Sequence, residues 1–137
     1  MSNANRRIHK KTRRNTIMKV FVYGTLKEGF YNHKWLRGAT KIGYDMVSGY
    51  GIQDLGAFPA AIPNQESVIF GEVYHITPEI EDCLDILEGY KEDGSGLYDK
   101  VIVSGEHFEN MTMYYMDGLV TDELKSIWNK KYKTKEV

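Results

Sequence analysis

The sequence predicts a one-domain α+β fold, because several short strand patterns are separated by turn signals and only one segment has a clear helical pattern. The chain has 137 residues, of which 42% are hydrophobic and 12% aromatic, and this is enough apolar material for a single core. No internal repeat or low-complexity stretch interrupts it. We therefore expect one domain with many strands and few helices.

Runs of β-branched and aromatic residues predict the strands. The run at 18–23 (MKVFVY) predicts a buried strand that ends in a turn at Gly24. Residues 32–36 fit a short helix. Further strands are predicted at 39–52 as a pair broken near Ser48 and Gly49, at 67–76 after a Pro- and Ala-rich connection, and at 97–103 and 108–116 as a hairpin joined at Ser104 and Gly105.

The segment that starts at Thr77 carries the clearest helix signal. Thr77 suits the N-cap, Pro78 suits the first helical position, and Gly89 suits the position just past the helix end. Apolar residues recur between them at helical spacing, namely Ile80, Cys83, Leu84 and Leu87. Cys83 is therefore predicted to be a small buried hydrophobe and not a nucleophile. A short closing helix is predicted near 124–128.

The N-terminal segment is strongly basic. Residues 1–19 contain seven Lys and Arg residues and no acid, whereas the whole chain has a net charge of −1. Such a segment buries too little apolar surface to offset its ordering entropy, so we expect a disordered leader at 1–17 and a folded domain at 18–137. The pattern also fits a natural start at Met18 after an artefactual leader. Alternatively, the six basic residues within 6–14 form a tether for nucleic acid or for an acidic partner.

Missing features exclude several classes of protein. No run of about 18 apolar residues could span a membrane, and the first residues lack the apolar stretch of a secretory signal. The single cysteine suits a reducing compartment, so we expect a cytoplasmic protein. The sequence has no GxSxG, GxxxxGK[ST], complete GxGxxG or HExxH motif, and its four histidines lack metal-ligand spacing. We expect neither a metal nor a cofactor.

Helix geometry singles out Glu88 as a candidate acid or base. With about 100° per residue and Ile80 at zero, the apolar residues span roughly −60° to +40°, while Glu88 lies near +80° and Asp85 near +140°. We therefore expect Glu88 to border the core and Asp85 to face outward. Partial burial and the negative end of the helix dipole would both raise the pKa of Glu88, as proton transfer near neutral pH requires. Taken alone, a glutamate at the rim of an ordinary helix end is the commoner explanation.

The tetrapeptide Tyr23-Gly24-Thr25-Leu26 directly follows the first predicted strand. Its backbone N–H groups leave the sheet and need other acceptors, and the glycine allows both a sharp turn and the close approach of a ligand. Consecutive N–H groups in such a turn can bind an anion. An ordinary strand-ending turn is the commoner explanation of this tetrapeptide taken alone.

The segment VFVYGTLK at 20–27, followed by Gly29, Asn32 and His33, resembles the opening motif of the AIG2-like branch of the γ-glutamylcyclotransferase superfamily. Further blocks follow in the family's order, and together they span residues 18–116. They are Leu55-Gly56 with Phe58-Pro59-Ala60, Gly71-Glu72-Val73-Tyr74, Leu84-Asp85-Ile86-Leu87-Glu88-Gly89, Tyr98-x-Lys100 and Met113-Tyr114-Tyr115. Several blocks in the family's order are far more specific evidence for the resemblance than a single YGTL motif.

The resemblance implies a γ-glutamylcyclotransferase-like mixed β-barrel flanked by a few helices. One pocket would lie where the YGTL turn, the Glu88 helix end and the last strand meet. Glu88 would be the acid/base, and Tyr98 and Tyr114 would be pocket walls or hydrogen-bond partners. The substrate's α-carboxylate would be held by the backbone amides of Tyr23, Gly24, Thr25 and Leu26.

The implied reaction is an intramolecular aminolysis that needs no cofactor and turns a γ-glutamyl amine or γ-glutamyl amino acid into 5-oxoproline and a free amine. The form YGTLK-x-G-x-x-NH is closer to family members that act on γ-glutamylamines than to those that act on glutathione. Two departures from the family put details in question, since Lys100 stands where arginine is usual and residues 92–96 lengthen the loop after the helix. The alternative is a non-catalytic member of the fold that binds a small anion, with the basic leader as the tether.

Overall fold

The computed structural model describes residues 17–24, 26–54 and 59–117. Within these ranges the chain forms five strands, a short 3-10 helix and one α-helix. In chain order they are β1 (Met18–Val22), the 3-10 helix (Tyr31–Leu36), β2 (Thr40–Asp54), β3 (Pro59–Ile76), α1 (Pro78–Leu87), β4 (Asp99–Val103) and β5 (Met111–Tyr115). Thr25, the predicted leader up to residue 16 and the predicted helix at 124–128 lie outside the described residues.

The five strands form one mixed sheet with the order β2-β3-β1-β5-β4. β1 pairs with β3 antiparallel and with β5 parallel, and the other neighbours are antiparallel. The predicted α+β class is confirmed. Among the described residues β2 and β4 remain edges, so the sheet is open and not the barrel that the resemblance implied. Just past the end of β5, Met116 N–H also donates a hydrogen bond of 2.9 Å to Ala61 O near the start of β3.

β2 and β3 are longer than the sequence predicts. β2 is one strand of 15 residues and not a pair, and β3 begins at Pro59, inside the predicted connection. The pairing shifts register between Ser48 and Tyr50, and Gly49 between them has a φ of 90°. Tyr50 pairs with Pro63 at this irregularity, which is where a sheet tolerates a proline. A bulge therefore replaces the predicted break.

Two apolar clusters pack on the two faces of the sheet. Along β1, Val20 and Val22 join one cluster and Phe21 joins the other, as alternate residues of a strand do. α1 contributes Leu84 and Leu87 to the first cluster, and both are buried. The helix therefore packs on the face of the sheet that carries Val20 and Val22.

Asp45 on β2 holds the connection between β4 and β5. Its buried carboxylate accepts hydrogen bonds from four backbone N–H groups at 2.7 to 3.1 Å, those of Met46, Glu106, His107 and Phe108. Gly105 lies against the same carboxylate so closely that a Cβ there would overlap it. The loop predicted at Ser104 and Gly105 is thus built around a buried anion of the chain itself.

α1 begins and ends as predicted. Thr77 Oγ1 accepts a hydrogen bond from Ile80 N–H at 3.3 Å, and Pro78 occupies the first turn, where its missing N–H is not needed. Past the helix end, Gly89 has a φ of 66°, a left-handed conformation that glycine adopts without strain.

The buried face of α1 is rotated from the predicted one. Cys83 is exposed, so the prediction that it is buried is wrong, and Ile86 is 80% exposed. The physical reason is that Glu81 takes a buried place, where Lys100 neutralises it. The buried residues of the helix are Pro78, Glu81, Leu84 and Leu87.

Candidate functional site

The turn after β1 lies against the start of β3. Lys27 N–H donates to Gly24 O at 3.1 Å and closes the turn. A Cβ at Gly24 would come within 3.0 Å of Pro59 Cγ, so the close packing favours glycine. Leu26 is buried in the core and anchors the other end of the turn. Two of the predicted carboxylate-binding residues therefore pack closely against the rest of the fold.

Tyr23 links three strands through its hydroxyl group. Tyr23 Oη donates to Tyr114 O at 2.8 Å and accepts from Ala61 N–H at 2.9 Å. Burial raises the pKa of Tyr23, and the Glu88 carboxylate raises it further, so the hydroxyl keeps its proton and continues to donate. The side chain of Tyr23 is thus part of the fold, and its backbone remains the part predicted to bind a carboxylate.

Glu88 is the C-cap residue of α1, and its side chain is half-buried. Gly89 N–H donates to Ile86 O at 3.2 Å and Tyr90 N–H donates to Asp85 O at 2.8 Å, which are the two bonds of a Schellman motif. These bonds set the direction in which the chain leaves the helix. They therefore fix the backbone from which the Glu88 side chain projects.

The carboxyl group of Glu88 has an unusual acidity. Burial raises its pKa to about 8, and no described residue donates a hydrogen bond that would oppose the shift. The same carboxylate adds to the raised pKa values of Tyr23 and Tyr114, which puts it within electrostatic range of both side chains. The structure therefore brings three of the predicted site residues together.

The rotation of α1 explains why the side chain of Glu88 is half-buried. On the angular scale that starts at Ile80, the four buried residues of α1 centre near +70°, at about 100° per residue. Glu88, near +80°, thus lies at the middle of the buried face and not at its border. The sequence placed Glu88 on the correct side of the helix but underestimated how far it points towards the sheet.

Asp85 does not face outward, and that prediction is wrong. Its Oδ1 accepts a hydrogen bond from Tyr114 Oη at 2.6 Å, and its Oδ2 pairs with Lys100 Nζ at 3.0 Å. Lys100 also pairs with Glu81 Oε2 at 3.1 Å, and its ammonium group lies 4.3 Å from the centroid of the Tyr90 ring. The lysine at the usual arginine position thus bridges two acids one helical turn apart. Their i, i+4 spacing is the sequence signal for such a shared cation.

The two predicted pocket tyrosines are buried and bonded within the protein. Burial raises the pKa of Tyr114, and the charge of Asp85 raises it further, so its hydroxyl stays protonated and keeps donating to that carboxylate. Tyr98 Oη donates to Pro59 O at 2.9 Å, beside the turn after β1. Both side chains therefore brace the elements around Glu88.

The loop after α1 is closed at its base. Leu97 N–H donates to Gly89 O at 2.9 Å, and Gly96 packs on the same carbonyl so tightly that a Cβ there would overlap it. The added residues 92–96 thus form a loop whose two ends meet next to Glu88.

Two residues that received no role from the sequence support the turn after β1. Glu72 Oε1 accepts a hydrogen bond from Glu28 N–H at 2.7 Å, and His33 Nδ1 lies 3.0 Å from Leu26 O. Both residues belong to motif blocks quoted above, and this was the available signal. A motif block does not state which member contacts the ligand and which holds another residue in place.

A cavity of about 440 Å³ opens beside β2 and β3, with Lys27, Tyr44, Phe70, Glu72 and His107 among its lining residues. None of the predicted site residues is among its described walls, so it is not the predicted pocket. Among the residues that the structure describes, no group of three or more His, Cys, Asp or Glu side chains could hold a metal ion. No helix in the described ranges is long and apolar enough to cross a membrane.

The described chain combines an open mixed sheet, a glycine turn after its first strand and a half-buried glutamate at the end of α1. The family described as "Gamma-glutamyl cyclotransferase, AIG2-like" matches residues 20–134. The chain therefore belongs to this family, and the resemblance found in the sequence is confirmed.

Individual relatives agree with this assignment. A Vibrio cholerae protein with a provisional name as a gamma-glutamylcyclotransferase is 41% identical over 70 residues, which cover 50% of this chain and 60% of that protein. The gamma-L-glutamyl-butirosin B gamma-glutamyl cyclotransferase of Niallia circulans is 31% identical over 84 residues, which cover 60% of this chain and 54% of that enzyme. The matches thus span little more than half the length of these relatives.

Solved structures share the fold. An AIG2-like protein from Mus musculus has a TM-score of 0.62 at 21% identity, with 80% of this chain and 83% of that chain covered. An uncharacterized protein from Pyrococcus horikoshii also has a TM-score of 0.62, at 23% identity, with 85% and 97% covered. These likenesses establish the α+β architecture.

Proposed function

We propose that this protein is a cyclotransferase that converts a γ-glutamyl amine, or a γ-glutamyl amino acid, into 5-oxoproline and a free amine. The observation that carries the proposal is the half-buried Glu88 carboxyl, whose pKa of about 8 suits proton transfer near neutral pH. It lies at the end of α1 within electrostatic range of Tyr23, the residue that begins the predicted binding turn. Membership of the family supplies the reaction class.

In the proposed reaction the substrate's α-amine attacks its own γ-carbonyl carbon. A C–N bond forms to the amine while the bond to the leaving nitrogen breaks. The Glu88 carboxylate takes the proton that the attacking amine loses and then delivers it to the leaving nitrogen, so the carboxylate is regenerated. One group with a pKa near the working pH can perform both transfers in sequence, because neither protonation state is strongly preferred.

Substrate folding supplies the other part of the rate acceleration. The turn after β1 would grip the α-carboxylate through backbone N–H groups, which places the amine of the same carbon near the γ-carbonyl. Well-oriented intramolecular reactions gain roughly 7 to 11 kcal/mol from such proximity. Gly24 and Leu26, held by Pro59 and by the core, make this turn a firm platform.

The preferred substrate class in this proposal is the γ-glutamylamines, such as γ-glutamyl-ε-lysine. The form of the opening motif supports this choice. The name of the Niallia circulans relative, which acts on γ-L-glutamyl-butirosin B, supports a γ-glutamyl group carried on a larger amine. We expect glutathione to be the poorer substrate.

The test is a panel of γ-glutamyl amines, amino acids and peptides assayed for released 5-oxoproline. Wild type is compared with Glu88→Gln and with Glu79→Gln, an exposed glutamate of the same helix that serves as the matched control. The proposal expects product from wild type and from Glu79→Gln and almost none from Glu88→Gln. Binding without product in wild type would instead favour the small-anion-binding alternative, and full turnover by Glu88→Gln would remove Glu88 from the mechanism.

A further inference from the structure

We propose that Glu72 and His33 are positioning residues that hold the carboxylate-binding turn from its far side, so that its backbone amides are ordered before the substrate arrives. The inference rests on the proposed function and assigns a role to two motif blocks that the reaction itself does not use. Glu72 binds the N–H of Glu28, and His33 binds the carbonyl of Leu26. These peptide groups lie on either side of Lys27, directly after the predicted binding residues.

Glu72 is a buried acceptor with several donors. Its exposed fraction is 8%, and its Oε1 accepts from Glu28 N–H at 2.7 Å and from Tyr74 Oη at 3.1 Å. Its Oε2 lies 3.4 Å from Lys41 Nζ. Burial alone would raise the pKa of Glu72, but these donors outweigh it and hold the pKa below its usual range. The bond to the Glu28 amide is therefore charge-assisted, which makes it stronger than a neutral one.

His33 supplies the second fixed point. Its Nδ1 lies 3.0 Å from Leu26 O, and because a carbonyl oxygen only accepts, Nδ1 carries the proton in this contact. The imidazole also packs on the ring of Tyr74 with the centroids 5.7 Å apart. Since the hydroxyl of Tyr74 binds Glu72, one tyrosine joins the two positioning residues into a single support.

The consequence for the turn follows from peptide geometry. A trans peptide points its C=O and its N–H in opposite directions, so fixing one fixes the other. His33 sets the peptide between Leu26 and Lys27 through its carbonyl, and that peptide's N–H reaches Gly24 O at 3.1 Å. Glu72 sets the next peptide through its N–H. An ordered turn pays less entropy on binding, which lowers KM for substrates that carry the α-carboxylate.

The substitutions separate a hydrogen bond from general packing. Glu72→Gln keeps an oxygen for the Glu28 amide but removes the charge, and Glu72→Ala removes both. His33→Asn keeps a donor at the δ position, whereas His33→Gln moves the donor one bond further out. His33→Asn is thus the conservative variant expected to rescue function, and His33→Gln is its matched partner.

The readout compares two substrates with the same reacting groups. One is γ-glutamyl-ε-lysine, and the other is 4-aminobutyryl-ε-lysine, which lacks the α-carboxylate. We expect Glu72→Ala and His33→Gln to raise KM for the first about tenfold with kcat within about twofold of wild type. The KM and kcat for the second substrate should be the same in the variants as in wild type. If its turnover is too slow to follow, its inhibition constant gives the same comparison. The KM values of His33→Asn and Glu72→Gln for γ-glutamyl-ε-lysine should lie between the wild-type value and those of the two disruptive variants.

Equal losses on both substrates, or an unchanged KM for γ-glutamyl-ε-lysine, would overturn the positioning role and leave only a contribution to folding. Thermal unfolding of each variant shows whether it is folded, and Glu72→Gln serves in place of Glu72→Ala if the latter is not. A wild type without turnover overturns the proposed reaction alone. The affinity for γ-glutamyl-ε-lysine is then measured by calorimetry, and equal affinities of wild type and His33→Gln would overturn the inference.

Discussion

Asp45 on β2, which holds the connection between β4 and β5, is buried, and Glu88 at the end of α1 is half-buried, but the surroundings of the two carboxylates differ. Asp45 receives four backbone N–H groups, whereas no described residue donates a hydrogen bond to Glu88. Burial alone would raise the pKa of Asp45, yet the four donors bring it below the ordinary value. At Glu88 burial acts unopposed and raises the pKa to about 8.

The difference shows that burial does not determine what a carboxylate does. A buried carboxylate with donors is a stable anion, and it organises the chain around it. A shielded carboxylate without described donors exchanges its proton near neutral pH, which costs stability when it ionises but suits it to catalysis. Asp45 therefore serves the fold, and Glu88 is available for chemistry.

The largest expected effect is on the rate. Replacing Glu88 by Gln removes the group that we propose moves the proton, and we expect kcat to fall by about 10² to 10⁴-fold. Wild-type kcat/KM should rise with pH and level off above about 8, because the proposed base in the free enzyme is the carboxylate form of Glu88. Steady-state rates of 5-oxoproline release across pH measure both the fall in kcat and the pH dependence of kcat/KM. A profile that is flat between pH 6 and 9 would contradict the role of this carboxyl.

The next effect is on stability, in the other region. Asp45→Asn replaces a charged acceptor by an amide that cannot satisfy four N–H groups, so we expect a loss of about 2 to 4 kcal/mol in the free energy of unfolding. Asp82→Asn, on the exposed side of α1, is the control and should change little. Denaturant titrations of the two variants make the comparison. Similar losses in both variants would show that the hydrogen bonds to Asp45 contribute little to the free energy of unfolding.

The two regions also predict opposite pH dependence of stability. Glu88 has a folded-state pKa above its unfolded value, so its contribution to stability is greatest below about 4.5 and is lost as pH rises through about 8. Asp45 has a lowered folded-state pKa, so its contribution is present at neutral pH and is lost as pH falls through that lowered pKa, below the usual aspartate range. Glu88→Gln should therefore remove the fall in stability between about pH 4.5 and 8 and leave the loss below the usual aspartate range that Asp45 causes. An unchanged fall between about pH 4.5 and 8 in this variant would contradict the assignment to Glu88.

The smallest effect concerns Asp85, whose partners are a lysine and a tyrosine. Lys100→Met leaves Asp85 and Glu81 without their shared cation, and we expect a loss of about 1 to 2 kcal/mol because the pair is only partly exposed. Lys100→Arg, the usual family residue, should cost less than about 0.5 kcal/mol. Thermal unfolding distinguishes them. A larger loss in the arginine variant would mean that the site is shaped for lysine.

Much of the fold could be read from local signals. The first strand, the Thr77 cap, the Gly89 stop and the α+β class depend on residues close in sequence, and the structure agrees with each. The predicted break in β2 failed because strand pairing continues across a register shift at Gly49, which no local pattern distinguishes from a turn. Tertiary pairing, and not propensity, decided the length of that hairpin.

The site was predicted less completely than the fold, for an electrostatic reason. Counting apolar residues located the stripe of α1 but misplaced Cys83 and Asp85, since an acid can be buried when a cation faces it. Lys100 is distant in sequence, so this pairing becomes visible only in the folded chain. The roles of Glu72 and His33 were hidden likewise, because they act on the backbone of a turn and not on a ligand.

The parallel pairing of β1 with β5 has a consequence for how the protein is made. Tyr23 and Tyr114 are 91 residues apart, and the hydrogen bond between them closes the site. During synthesis the turn and the Glu88 helix emerge first, but they lack this partner until the last described strand has been translated. Contacts of such long range also slow folding. The hydrogen bond from Tyr23 to β5 is therefore absent until the last described strand docks, and truncation before Met111 would remove it.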